Sequence, residues 1–281
     1  MSLSARSWVS AALLLSFTGV VPPASASTIP ADVGRSASAF GVSINSASDV
    51  SRLSHLLGRP LATVRIFRGS LGGSWSDQSV LRAVPPTASV SLSFTGGSPA
   101  AVQSFLAGHP AGTRCYATYH HEPEATFTSN AQQALYRSSW HTYAPAIRKA
   151  GCIPTLILMK WTLQPASGRN WRDWYSPGDI DALGLDAYNS EAKKGGYGDA
   201  ADYLAPILAL HTQTGLPWAL TEMGSDIPAG TTSAQRAAWA HSVAVAAAAA
   251  PGFTFAAWWD TLGRSGRDYR LDSNAAQAWH P

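Results

Sequence analysis

Charge is scarce in this chain. Only 13% of its 281 residues are Asp, Glu, Lys or Arg, and the formal net charge is +3. No lysine- or arginine-rich run occurs, so the electrostatic footprint of a nucleic-acid binder is missing and no nucleic-acid partner is expected. Sulfur is scarcer, with three methionines and two cysteines. Cys115 and Cys152, this far apart, make only a weak metal-binding motif. No G-x-G-x-x-G follows the first strand candidate, which removes the dinucleotide fingerprint. There is no G-x-S-x-G element and no Cys-His pair of the kind other hydrolases use. Repeats and low-complexity linkers are absent as well. No metal and no cofactor is expected.

Long apolar runs are also missing. The run Trp8 to Val21 is shorter than the roughly 18 residues a membrane-spanning helix needs. It follows Arg6 and precedes Ala24-Ser25-Ala26, an A-x-A cleavage pattern, so residues 1–26 read as a secretory signal peptide rather than a membrane anchor. Residues 27–38 are small and polar and read as a loose leader. Residues 39–281 are expected to form one domain that is secreted and extracellular or cell-wall associated, free of the membrane after cleavage, and monomeric.

With 46% apolar residues, that domain has enough material for a large core. Eight β-type runs can be marked: AFGVSI (39–44), ATVRIF (62–67), ASVSLSF (88–94), RCYATYH (114–120), IPTLILM (153–159), DALGLDAY (181–188), PWALTEM (217–223) and FTFAAWW (253–259). Helical patterns lie between them, among them 99–108, 131–151, 200–215 and 233–250. In the third of these, Tyr203, Ile207, Leu208 and His211 share a face at helical spacing. Gly151 and Gly215 stand where helices end. Eight strands alternating with helices, or with loops long enough to hold one, predict a (β/α)8 TIM barrel, with a doubly wound open sheet as the other possibility. Cys115 and Cys152 open the fourth and fifth strands, neighbours in such a barrel. In an exported protein they can form a disulfide or stay as two buried thiols.

Catalytic groups of a barrel sit where strands end and strand–helix loops begin. The polar residues there are His120-His121-Glu122 on the fourth strand, Asp186 and Tyr188 on the sixth, Glu222 on the seventh, and Trp258-Trp259-Asp260 on the eighth. Arg65 lies in the second. Two glutamates thus face one another across the barrel mouth. Glycosidic cleavage needs such a pair, with one carboxyl protonated to release the leaving oxygen and one ionised to meet the cationic centre. Arg65 or Arg68 can hold a carboxylate ionised, and Tyr188 can donate to it. The histidine pair does not read as a metal site. Adjacent residues of a strand point to opposite faces, and Pro123 stops a helix that would align two ligands. His120 reads as a core or supporting histidine, and Glu124 as rim or solvent.

VRIF (64–67), HHEP (120–123), SPGDIDALGLDAYN (176–189), LTEMG (220–224) and AAWW (256–259) resemble the signature segments of clan A glycoside hydrolases. The sixth-strand segment is closest to family 26, the β-mannanase-type enzymes. The resemblance implies Glu122 as acid/base, Glu222 as nucleophile, and hydrolysis of a β-linked polysaccharide with retention of configuration. It also implies His121 at a substrate hydroxyl and Trp258 as a platform beneath the central sugar. His121 replaces the commoner asparagine, and Met223 replaces an aromatic. Asp186 is expected either to bind sugar or to orient Tyr188. Trp161, Trp171, Trp174 and Tyr175 crowd one loop, and Trp161 is the substrate contact expected from it. Mannan, β-glucan and xylan remain open as substrates. A catalytically weak barrel that only binds polysaccharide is the alternative; it would need the tryptophans but neither glutamate.

Overall fold

The computed structural model describes residues 39–189, 191–192, 195–263 and 266–281. The expected signal peptide and leader, residues 1–26 and 27–38, lie outside the described residues. Eight parallel strands close into a barrel in sequence order: β1 (Phe40–Ser43), β2 (Thr63–Phe67), β3 (Ser89–Phe94), β4 (Cys115–Tyr119), β5 (Ile153–Met159), β6 (Ala182–Tyr188), β7 (Trp218–Gly224) and β8 (Phe253–Trp258). The open-sheet alternative is excluded because β1 pairs with β8 as well as with β2.

The helices are α1 (Ala47–Leu57), α2 (Ser79–Ala83), α3 (Pro99–Leu106), α4 (Asn130–Lys149), α5 (Ala200–Thr214), α6 (Ser233–Ala249) and α7 (Ser273–Ala278). Their starts are chemically marked. Ser46, Ser129 and Thr232 each accept from the third helical amide, while Asp49, Gln132 and Gln235 reach back to the cap amide. Such reciprocal caps satisfy amides that a helix start leaves without partners. Gly151 and Gly215 adopt positive φ, 81° and 70°, as the sequence predicted. On α5 the buried face is Tyr203, Leu204, Ile207 and Leu210, so the stripe is rotated from the expected one and Leu208 and His211 flank it. Between β5 and β6 the crossover is made of 3-10 turns (Lys160–Leu163, Pro165–Ser167, Trp171–Asp173).

Two cores result. A large one fills the layer between barrel and helices. A small plug of Tyr116, Ala182, Ala219 and Phe255 fills the barrel's lower interior, with the Tyr116 and Phe255 rings 4.8 Å apart. Above this plug the interior is polar, with Arg65, Ser91, Ser93, Thr118, Thr155, Asp186 and Thr221 all buried. Gly184 lets this layer close, because a Cβ there would stand 2.6 Å from Ile157 Cγ1 and 2.7 Å from Thr221 Cγ2. Cys115 and Cys152 are joined in a disulfide at the bottom of β4 and β5. The barrel's polar layer therefore rests on an apolar floor, and its upper rim is where chemistry can take place.

Candidate active site

The β4 exit departs from regular strand geometry. His120 and Glu122 have φ of 45° and 48°, and no other non-glycine residue among those described has positive φ. Left-handed backbone costs an L-residue about 1–2 kcal/mol, so it persists only where surrounding contacts enforce it. Here the His120 amide donates to Phe94 O of β3 (2.9 Å) and the Glu122 amide to Ile157 O of β5 (3.0 Å). Strand alternation is suspended across 120–122. His120 packs on Tyr119 and Phe127. His121 meets the Phe67 ring at 5.2 Å.

On β7 a second irregularity does similar work. Leu185 pairs with Leu220 but Asp186 with Glu222, and the pairing to β8 also slips between Leu220 and Met223. This bulge re-aims one side chain. Thr221 reaches Asp186 inside the barrel, whereas Met223 joins the outer apolar core. Glu222, which simple alternation would turn outward, also faces inward.

Two groups converge on Glu222. The Tyr188 hydroxyl donates to its Oε2 at 2.6 Å. Arg65 Nη2 lies 3.6 Å from its Oε1, and the guanidinium stacks 4.3 Å over the Phe67 ring. Arg68 instead donates to Gln78 at 2.5 Å, so of the two arginines it is Arg65 that lies beside Glu222. Asp186 lies beneath the pair, 3% exposed, and accepts from the Thr221 hydroxyl at 2.5 Å. Burial, then the charges of Glu222 and Glu122, hold the Asp186 carboxyl well above its ordinary range. Neither Asp186 nor Arg65 has surface from which to meet a substrate. Asp186 instead lies within reach of the charges of Glu222 and Glu122, and Arg65 beside Glu222.

Glu122 is pushed up to about 7, chiefly by burial, then by the charges of Glu222 and Glu124, against the opposing pull of Arg65. His121 is pushed down to about 3 by burial, Arg65 and His120, so it is a neutral imidazole. Burial, then the nearby carboxylates, drive the Tyr188 hydroxyl far up, and it stays a donor. The site therefore holds one carboxyl that keeps its proton near neutrality beside another faced by a hydroxyl donor and a guanidinium. Divergent environments of this kind are how one site holds both an acid and a base.

Two expectations are corrected. Trp258 is 0% exposed. It lies between barrel and helices against Trp239 and Trp279 and donates to Tyr269 O at 2.6 Å. It cannot form a sugar platform. Trp259, half-buried, takes the inner side and meets Phe67 edge-on at 5.2 Å. The signal for it was parity, since Phe255 lines the barrel and Trp259 is four residues on. Glu124, expected at the rim, is 1% exposed. In the aromatic loop, Trp161 is 48% exposed. Trp174 is buried and staples the loop through a 2.9 Å bond to Phe127 O.

The sequence matches no protein-family model and no curated protein. Solved structures do share its architecture. A subgroup I GH128 endo-β-1,3-glucanase from Amycolatopsis mediterranei, in complex with laminaritriose and laminaribiose, aligns at TM-score 0.57 with 14% identity, covering 86% of this chain and 98% of that one. A subgroup II GH128 endo-β-1,3-glucanase from Sorangium cellulosum aligns at 0.56 with 17% identity, covering 86% and 97%. A Bacillus subtilis mannanase aligns at 0.50 with 13% identity, covering 89% and 87%. At these identities the likeness speaks for the fold. It extends over glucanases and a mannanase alike, so it does not single out family 26.

Proposed function

We propose that the chain is a glycoside hydrolase that cleaves β-linked polysaccharide by double displacement, with Glu122 as acid/base and Glu222 as nucleophile. The observation that carries this is the asymmetry of the pair. Glu122 is pushed up to about 7 at the exit of β4, while Tyr188 and Arg65 converge on Glu222 at the end of β7. Clefts at the C-terminal ends of barrel strands are where such enzymes work.

In the first step Glu122 gives its proton to the glycosidic oxygen as the bond from that oxygen to the anomeric carbon breaks. A carboxylate oxygen of Glu222 bonds to the anomeric carbon. In the second step the Glu122 carboxylate takes a proton from water. The resulting hydroxide attacks the anomeric carbon, and Glu222 leaves as a carboxylate. Two inversions give retention. Neutral His121 is free to exchange hydrogen bonds with a sugar hydroxyl, and Trp161 offers an exposed face to a neighbouring ring. The resemblance of the 176–189 segment favours a mannan-type substrate. The similar solved barrels include β-1,3-glucanases and a mannanase, so β-glucan, mannan and xylan form the assay panel. Residues 1–26 would direct export and 39–281 would be the catalytic domain.

The test is release of reducing ends from that panel by the mature protein beside Glu122→Gln and Glu222→Gln. Hydrolysis by wild type, abolished in both variants, is expected, with activity falling as pH rises through about 7, because the acid must be protonated. Full activity in either variant contradicts the assignment. Binding without hydrolysis would leave a polysaccharide-binding barrel. An anomeric NMR time course separates retention from inversion.

A further inference from the structure

Glu124 has no part in the chemistry above, yet it is a carboxylate with 1% exposure. Charged groups are rarely buried without partners that hold them there. Its Oε1 accepts the Met159 amide of β5 at 2.9 Å. The Thr162 hydroxyl and the charge of Arg169 also face it, and Arg169 donates to Thr162 Oγ1 at 3.1 Å. Burial pushes the Glu124 carboxyl above its ordinary value, and its own amide, the Thr162 hydroxyl, the Met159 amide and the charge of Arg169 all pull the other way.

Glu122 lies two residues earlier and donates its amide to Ile157 O at 3.0 Å. The tripeptide Glu122-Pro123-Glu124 is thus pinned twice to the end of β5, at Ile157 by the backbone of its first residue and at Met159 by the side chain of its last. Pro123 between them has a fixed φ and no amide to compete. The left-handed backbone of Glu122, φ 48° and ψ 53°, is therefore over-determined from both sides.

We propose that Glu124 is the positioning residue of Glu122: its carboxylate, fastened to the Met159 amide, locks the left-handed turn that aims Glu122 into the barrel mouth and sets a negative charge behind it. This rests on the reading of Glu122 as acid/base and deepens it. The other titratable groups facing Glu122 are Glu222 from β7, Asp186 and Tyr188 from β6, and Arg65 from β2. Only Arg65 opposes proton retention by Glu122. Among the negative groups, Glu124 alone belongs to the same turn.

The experiment separates the clamp from the charge. Glu124→Gln keeps an acceptor for Met159 and removes the charge. Glu124→Asp keeps the charge and is too short for the bond. The Glu122 carboxyl is followed by 13C NMR titration of glutamate-labelled protein, assigned with Glu122→Gln, alongside kcat and KM. In Glu124→Gln the Glu122 midpoint moves to lower pH, the alkaline limb of kcat/KM moves with it, and kcat in the acid range stays within about threefold of wild type. In Glu124→Asp the midpoint stays high while kcat falls tenfold or more with KM little changed. An unaltered Glu122 midpoint in Glu124→Gln, or wild-type kcat in Glu124→Asp, overturns the proposal. Should Glu124→Gln fail to fold, the Asp variant alone decides the clamp. The titration needs no substrate, so inactivity on every glycan defeats the functional reading and leaves this measurement standing.

Discussion

Glu122→Gln should make the protein more stable at alkaline pH and leave it unchanged in acid. The wild-type carboxyl is raised from 4.5 to about 7 by burial and by neighbouring carboxylates. The folded state therefore binds that proton more tightly than the unfolded chain does. Below both values the group is protonated in either state and nothing is lost. As pH rises through the interval, the folded state must either keep a proton that the unfolded chain releases or bury a charge. At about 1.4 kcal/mol for each tenfold difference in proton affinity, the deficit grows to about 3 kcal/mol once pH exceeds about 7. Glutamine is isosteric and carries no charge, so the deficit disappears. Urea unfolding of both proteins at about pH 4 and about pH 9 reads this directly. The variant should match wild type within about 0.5 kcal/mol at the lower pH and exceed it by about 3 kcal/mol at the higher. A stability difference that does not change with pH would refute the claim that Glu122 sits in a charge-averse environment. The gain at the expense of activity is the trade expected where a site holds groups in unfavourable surroundings.

Three further outcomes follow from the same geometry. Tyr188→Phe removes the 2.6 Å bond to Glu222; a hydrogen bond to a charged group contributes about 1.5–3 kcal/mol, so kcat/KM should fall by roughly ten- to a hundredfold with the fold intact by circular dichroism. The two adjacent tryptophans should separate cleanly in thermal melts and kinetics: Trp258→Ala, fully buried, should cost about 3–5 kcal/mol of stability, whereas Trp259→Ala should cost far less and raise KM. Replacing Cys115 and Cys152 with serine opens a closed loop of sequence separation 37 and should lower stability by about 4 kcal/mol, with kcat unchanged, because the bridge lies at the end of the barrel opposite the site.

Most of the architecture was readable from the chain because barrel strands are buried on both faces and stand out as short apolar runs between helical segments. All eight were placed within a residue or so at each end. Glu122, Tyr188 and Glu222 could be singled out as candidates because the rule that chemistry sits at strand ends needs only the strand boundaries. What was misplaced were several side chains whose direction or burial the letters do not show, Trp258 and Glu124 above all. A strand apolar on both faces gives no alternation, so Trp258 and Trp259 could not be told apart without knowing that Phe255 faces inward. Glu222 faces inward only because β7 is bulged, and bulges leave no mark in letters such as LTEMG. Glu124 looked solvent-bound because it follows a proline in a loop; its burial comes from Met159 and Thr162, more than thirty residues later in the chain. The α5 stripe was misdrawn because leucine and isoleucine occur on both sides of that helix.

The central claim is that Glu222 forms a covalent bond to the sugar and Glu122 serves it with protons. The most direct test is to treat the mature protein with an activated 2-deoxy-2-fluoro glycoside of whichever sugar its polymer substrate contains, then map the adduct by peptide mass spectrometry. Fluorine slows both steps and the activated leaving group restores the rate of the first alone, so the intermediate accumulates. The account predicts a single glycosyl adduct on Glu222, formed in wild type and absent from Glu222→Gln. An adduct on another residue, or steady polymer hydrolysis with no adduct at any time point, would contradict it.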